Sequence, residues 1–387
     1  MTVDSTRDGA SPIDVTGAVK AAAANAHIVD RDARFPVEAV TAMKDAGLLS
    51  CSLPTELGGR SAGMTELASY ARALGAACSS AAMVFAMHHT QALTLRWHGA
   101  QGDIAELTRS IAQNESLLAS ATTEITTGGD VRSSTCAVVV EGDRVTLSKN
   151  APVISYGEYA DHICATARRG PDSPPSDQVL VICPAADTVL EKTGTWDVLG
   201  FRGTCSPGFE LKADTDARNV LPVDYATISA HTMLPASHTL WASVWLGIAD
   251  AAVNKARVQI RADAKRKSGA PTDRTAAFAD LLVIHQRFAS SVSEEIRRYE
   301  TFLASGELET TVGFAIAMNN LKLNASKAVV EVVAGALGLV GINAYREDHA
   351  ASMGRLLRDA YGPQLMVSND RIRANNARLV LAYRGKP

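Results

Sequence analysis

The residues best placed for chemistry begin with a loop. Positions 121–130 read ATTEITTGGD and lead into a β-branched run, SSTCAVVV, at 133–140. Thr122, Thr123, Gly128, Gly129 and Asp130 all fall in that loop. Backbone N–H groups and hydroxyls in such a loop can reach a flat, electron-poor ring, because glycine lacks the Cβ that would hold the ring away. Two stretches further on repeat the theme. Ile154 and Ser155 sit in PVISYG at 152–157, and WDVLGFRGTCS follows at 196–206.

These loops need elements to carry them. The chain has 387 residues, more than one average domain, with 47% hydrophobic and 20% charged residues, so a large core spread over two or three packed segments is expected. A formal charge of −3 gives no electrostatic footprint for nucleic acid. The first residues show no signal-peptide core, and no uninterrupted apolar run looks long enough to span a membrane. The six cysteines have no metal-ligand spacing and read as reduced core residues of a cytoplasmic protein. No metal site is expected.

Apolar spacing near 3.6 residues predicts helices over 12–31, 36–46, 64–74, 80–97 and 101–113, with Ser79 or Ser80 as an N-cap. Near Ala119 the period changes to two. A hairpin is expected from 136–140 and 144–148, with further strands at 162–167, 178–183 and 209–213. Helical spacing returns over 238–266, 274–304, 310–339, 350–360 and 367–383, enough for a bundle. The reading is an α+β chain, mostly α: a helical domain over 1–118, an antiparallel β-domain over 119–229 and a helical bundle over 230–387.

The three loops resemble the flavin-facing motifs of the acyl-CoA dehydrogenase superfamily. That family writes Thr-Glu-Pro-x-x-Gly-Ser-Asp, then Trp-Ile-Thr/Ser-Asn-Gly, then Leu-Gly-x-Arg-Gly-Thr-x-Ser. Here they read TEITTGGD, VISYG and LGFRGTCS. LPTELGG at 53–59 is similar to a further family signature, and RDA at 358–360 to the one before the catalytic loop. The resemblance implies FAD, with Thr123 and Ser155 bonded to its ring. It also implies Lys265 and Arg266 against the pyrophosphate of a neighbouring subunit, beside the glycine run 335–341 that includes Gly338. A tetramer or dimer follows from that arrangement. A solvated basic helix end is the plain alternative for the lysine–arginine pair.

Most members then supply a glutamate that removes the α-proton of an acyl thioester. Counted without gaps, the Glu-Gly-Thr of the family falls on Val367, Ser368 and Asn369, and a second known base position falls on Ser237. Neither base position holds a carboxylate. The candidates left are Asp370 in the same loop, His238 beside Ser237, and the His88-His89 pair on the helix that lines the substrate cavity in this family. Their plain alternatives are an N-cap for Asp370 and, for each histidine, a helix residue bonded to backbone or water. The expected activity is desaturation of a short acyl thioester carried on coenzyme A or an acyl carrier protein, in a biosynthetic pathway, with an electron-transfer flavoprotein as acceptor. A flavin monooxygenase on the same fold, and a flavin protein without turnover, remain the alternatives.

Overall fold

The computed structural model describes residues 13–127, 130–266 and 271–385. Helices come first: α1 (Thr16–Arg31), α2 (Val37–Asp45), α3 (Met64–Ala77), α4 (Ser79–His98) and α5 (Ala105–Gln113). Helix α4 is buried around nearly its whole circumference, as expected of a helix without a polar face. Neither Ser79 nor Ser80 caps it. Cys78 occupies the cap position, and the two serines bond other segments instead.

Among the described residues the β-region has seven strands: β1 (Leu118–Ala121), β2 (Val139–Glu141), β3 (Arg144–Ala151), β4 (His162–Arg168), β5 (Gln178–Pro184), β6 (Thr188–Lys192) and β7 (Phe209–Asp216). They form two sheets, ordered β1-β4-β5 and β2-β3-β7-β6. The expected hairpin is β2–β3, turning at Gly142 and Asp143. Pairing is antiparallel except that β1 runs parallel to β4, so β1 and β4 need a crossover. The intervening residues make that crossover through the other sheet.

Helix α6 (Tyr225–Ile228) passes through a π-helical segment, Ser229–Met233, into α7 (Leu234–Arg266). Such bulges re-aim side chains and recur at functional sites. Here Tyr299 donates its hydroxyl to the His231 carbonyl at 3.1 Å and fixes the segment. Then come α8 (Asp273–Ser305), α9 (Val312–Val340), α10 (Ile342–Tyr345), α11 (Gly354–Tyr361) and α12 (Asn369–Leu379). The last helix begins later than its apolar spacing suggests. Val367 has φ +47°, which no α-helix admits.

By length and composition helix α9 could cross a membrane, its most apolar window having a mean hydropathy of 1.5, and half of that window is buried inside the fold. Lys322, Asn319 and Ser326 are buried on its inner face, and it packs against α7 and α8 as a core helix.

Helices α3 and α7 cross at near backbone contact. A Cβ on Gly247 would lie 2.2 Å from the Arg72 carbonyl oxygen, and one on Gly75 would lie 2.5 Å from that of Val244. The same crossing is tied by Arg72 to Asp250 at 2.5 and 2.9 Å, with His285 of α8 on the same carboxylate at 2.7 Å. The obstructing atoms are backbone and cannot rotate away. Gly247→Ala is therefore expected to lower stability by about 1–3 kcal/mol, measured by urea unfolding, whereas Gly17→Ala, in open space, should not.

Candidate active site

A cavity of about 560 Å³ opens where the β-region loops meet α4, the π-segment with the start of α7, and the chain after α11. Thr122, Thr123, Ser155 and Ser206 give it a hydroxyl-bearing edge, and Met83, Met87, Met233, Leu234 and Trp241 an apolar wall. Thr122 and Thr123 follow directly on β1. The Ser155 hydroxyl bonds that of Ser206 at 2.9 Å, which holds two of the three loops together. Tyr156 next to it takes φ +43° and is fixed by its hydroxyl on the Leu118 carbonyl at 2.9 Å.

A buried ion pair sits behind the first loop. Lys149 of β3, fully buried, donates to Glu124 at 2.8 Å and to the Thr166 carbonyl at 2.7 Å. Glu124 also accepts from Ser134 and from the Thr135 N–H and hydroxyl. Burial works to raise the Glu124 carboxyl, but the bonds from Lys149, Ser134 and Thr135 prevail and hold it at about 2. The neighbouring Thr123 is thereby placed from behind.

The third loop is joined to α11 and α4 by one carboxylate. Asp359 accepts the Phe201 N–H at 2.6 Å and the Ser79 hydroxyl. Burial pushes its carboxyl up, with Arg355, Ser79 and the Phe201 N–H opposing. Gly200 is required beside it, since a Cβ there would lie 2.5 Å from the Arg358 carbonyl oxygen.

Of the expected bases, His238 alone lines the cavity. Its Nδ1 lies 3.0 Å from the Met318 carbonyl, which assigns the proton to Nδ1 and leaves the lone pair on Nε2. Burial lowers this imidazole to about 4, over the opposing Met318 bond and with the help of the Lys322 cation. The ring is neutral at pH 7.

His88 and His89 do not line the cavity. The first bridges the Leu49 carbonyl (2.7 Å) and the Leu118 N–H (3.0 Å), and the second contacts the Leu48 carbonyl and the Ser52 hydroxyl, both at 2.9 Å. They tie α4 to the chain after α2 and to β1. Asp370 is also corrected: its side chain is 87% exposed and pairs with Arg373 at 2.6 Å, outside the cavity. Ser368, not Asp370, caps α12.

The cofactor residues divide in the same way. Thr122, Thr123 and Ser155 line the cavity. Ile154 has its side chain in the core and its N–H on the Pro207 carbonyl, and Asp130 accepts from the Arg132 N–H and pairs with its guanidinium. Asn369 turns inward to Lys322 and Ser326. Gly128 and Gly129 lie outside the described residues. Lys265 and Arg266 end α7, about 40 Å from His238 at 1.5 Å per residue, and Gly338 lies on the exposed side of α9. None of these three reaches the cavity of its own chain.

Val367 lines the cavity. What sequence reasoning missed is the methionine wall, although Met83, Met87 and Thr90 share one helix face by spacing. It also missed Lys322, a buried cation in a largely apolar helix. The cavity suits a flavin ring. Hydroxyls edge it, and the indole N–H groups of Trp196 and Trp241, both in its wall, have no partner among the described residues, so donors are free to meet the ring's carbonyl and nitrogen acceptors.

A cavity between sheet loops and a helical bundle, with these motifs on its edge, defines an acyl-CoA dehydrogenase-like enzyme. Residues 17–115 match the family of acyl-CoA dehydrogenase N-terminal domains. The amino sugar nitrososynthase DnmZ of Streptomyces peucetius is 26% identical over 352 residues, covering 85% of this chain and 82% of that protein. The short-chain-specific acyl-CoA dehydrogenase of Clostridium acetobutylicum is 23% identical over 349 residues, covering 86% of each. In fold, FMN-bound TdsC from Paenibacillus sp. A11-2 superposes with a TM-score of 0.81 at 17% identity, over 96% of this chain and 97% of that one. The chain is similar to the acyl-CoA dehydrogenase superfamily in its motifs, in sequence along most of its length, and in fold.

The Glu124 carboxyl lies below its ordinary value of 4.5, so its contribution to stability is present above about pH 4.5 and is lost as pH falls through about 2. Lys149→Met leaves a buried carboxylate without its cation and is expected to cost about 3–5 kcal/mol at pH 7. Chemical denaturation at several pH values should show that gap closing as the pH falls toward 2.

Proposed function

We propose that the chain is a flavin-dependent dehydrogenase that desaturates an apolar acyl group presented as a thioester, with His238 as the base. The observation that carries this reading is a neutral imidazole in the wall of a cavity that the flavin-type hydroxyls also line. No aspartate or glutamate lines the cavity among the described residues, and Arg358, also in the wall, is engaged by Asp30 and Glu347.

Thr122, Thr123 and Ser155 would hold the ring of a flavin, which when bound would supply the two-electron acceptor that desaturation requires. His238 takes the α-proton on Nε2 as the carbon–carbon double bond forms, while the Met318 carbonyl accepts the Nδ1–H bond and fixes the ring. Met83, Met87, Met233 and Trp241 exclude water and accept an aliphatic chain, methionine being adaptable to shape. The cofactor is proposed as FAD, shared with a neighbouring subunit's Lys265 and Arg266 in a dimer or tetramer. The thioester carrier is coenzyme A or an acyl carrier protein, and an electron-transfer flavoprotein takes the electrons onward.

The missing carboxylate favours a second reading, oxygen transfer by reduced flavin, which needs no base at a thioester α-carbon. The similarity to DnmZ supports it, although the apolar wall offers few partners to a sugar.

Anaerobic mixing with acyl thioesters of several chain lengths is expected to bleach the flavin. His238→Gln should slow bleaching by about 10²–10⁴-fold, the usual contribution of a positioned base. With an imidazole held at about 4, the acid limb for the free enzyme falls near pH 4 rather than near 6.5. The mass of the released cofactor separates FAD from FMN. If no thioester bleaches the wild-type flavin, while reduced flavin and oxygen oxygenate an apolar compound, desaturation is wrong and the second reading stands.

A further inference from the structure

Lys322 is fully buried in the middle of α9. Its ammonium donates to the Val367 carbonyl at 2.7 Å and to the Asn369 side-chain oxygen at 2.8 Å. Asn369 is held in turn by Ser326, one helical turn further along α9, which accepts from its amide at 3.1 Å. Asn319, a turn before Lys322, donates to Asn376 of α12 at 2.8 Å. One face of α9 thus grips the loop between α11 and α12 and the helix after it.

The gripped loop is strained. Val367 is β-branched yet sits at φ +47°, a region that such residues avoid because Cβ crowds the backbone. Strain of this kind persists only where the surroundings over-determine it. Among the described residues the atom bonded to the Val367 carbonyl is the Lys322 nitrogen. Met366 and Val367 both line the cavity, so the conformation of this turn sets one wall of the site.

We propose that Lys322 is a positioning residue that clamps the 366–369 turn in its left-handed form and so keeps the Met366–Val367 wall closed on the cavity. The proposal rests on the reading of that cavity as the reaction site. At 367 the clamp holds the backbone carbonyl, so it does not depend on which side chain stands there. An ammonium buried in an apolar helix is costly to desolvate, which makes Lys322 a poor choice for general stability and a good one for fixing a single loop.

The test compares the flavin-loaded wild type with Lys322→Met and with Lys322→Met/Val367→Gly. Hydrogen exchange followed by mass spectrometry reads the loop directly, without turnover. In Lys322→Met, exchange over 365–371 should accelerate by about tenfold or more while α7 and the rest of α9 stay protected, since local opening is separable from global unfolding. The melting temperature should hold or rise, and flavin reduction by an acyl thioester should slow by about tenfold or more, as misplacement near the chemistry does. Glycine at 367 adopts positive φ without a steric penalty, so the double variant should recover part of both the protection and the rate. Unchanged loop exchange overturns the proposal. So does a fall in melting temperature with exchange spread over α7 and α9, which would make Lys322 a general support. Where a thioester does reduce the wild type, an opened loop with an unaltered rate also overturns it. If the loop opens as described while the wild type reduces with no thioester, the clamp stands and desaturation fails.

Discussion

The architecture turns on the buried Asp359 carboxylate. It comes from α11 and accepts from Ser79 at the start of α4 and from the Phe201 backbone in the β-region. Those three segments are the separate walls of the cavity, and no continuous element connects them. A buried carboxylate is unfavourable unless its oxygens are satisfied. This one is satisfied only when bundle, sheet region and first helices are in register, so assembly of the walls and satisfaction of the charge are one event.

The other ionic group near the site works differently. Glu124 and Lys149 lie within the β-region, on the loop after β1 and on β3, and they shape one loop from behind. The two buried carboxylates respond in opposite directions. Glu124 has a buried cation against it and stays well below the usual range, whereas burial raises Asp359, with Arg355 at the rim opposing. Charge therefore surrounds the cavity without entering it, apart from Arg358. The interior is left to sulfur, indole, hydroxyl and one uncharged imidazole.

Much of this was legible in the sequence. The change of period near Ala119, the β2–β3 hairpin and the long bundle helices followed from spacing, and the Thr123, Ser155 and LGFRGT loops were found by their motifs. His238 was legible only through its neighbour Ser237. The failures have physical causes. His88 and His89 look like a reactive pair, but a histidine inside a helix buried all round has backbone groups nearer than any cavity. Asp370 read as part of a loop because nothing in local sequence announces that Val367 will take positive φ, which turns Asn369 inward and Asp370 out to solvent. The force responsible, a lysine bonded across 45 residues, leaves no local periodic signal. Parallel pairing of β1 with β4 is hidden for the same reason, since alternation gives a strand its faces but not its partner's direction.

The cysteines have a consequence of their own. Five of the six are buried, and Cys205 is partly covered. Burial raises the Cys51, Cys78, Cys136, Cys164 and Cys183 thiols above their ordinary values. A protonated, inaccessible thiol is neither a nucleophile nor easily oxidised. The five are also distributed informatively: Cys78 adjoins the Ser79–Asp359 junction, Cys136 the Glu124 network, Cys51 the serine that holds His89, and Cys164 and Cys183 lie on paired strands of one sheet. The chain thus carries a set of built-in clocks. The rate at which each sulfur becomes available to an alkylating reagent reports how often its own part of the molecule comes open, and the order in which they appear traces how the molecule comes apart.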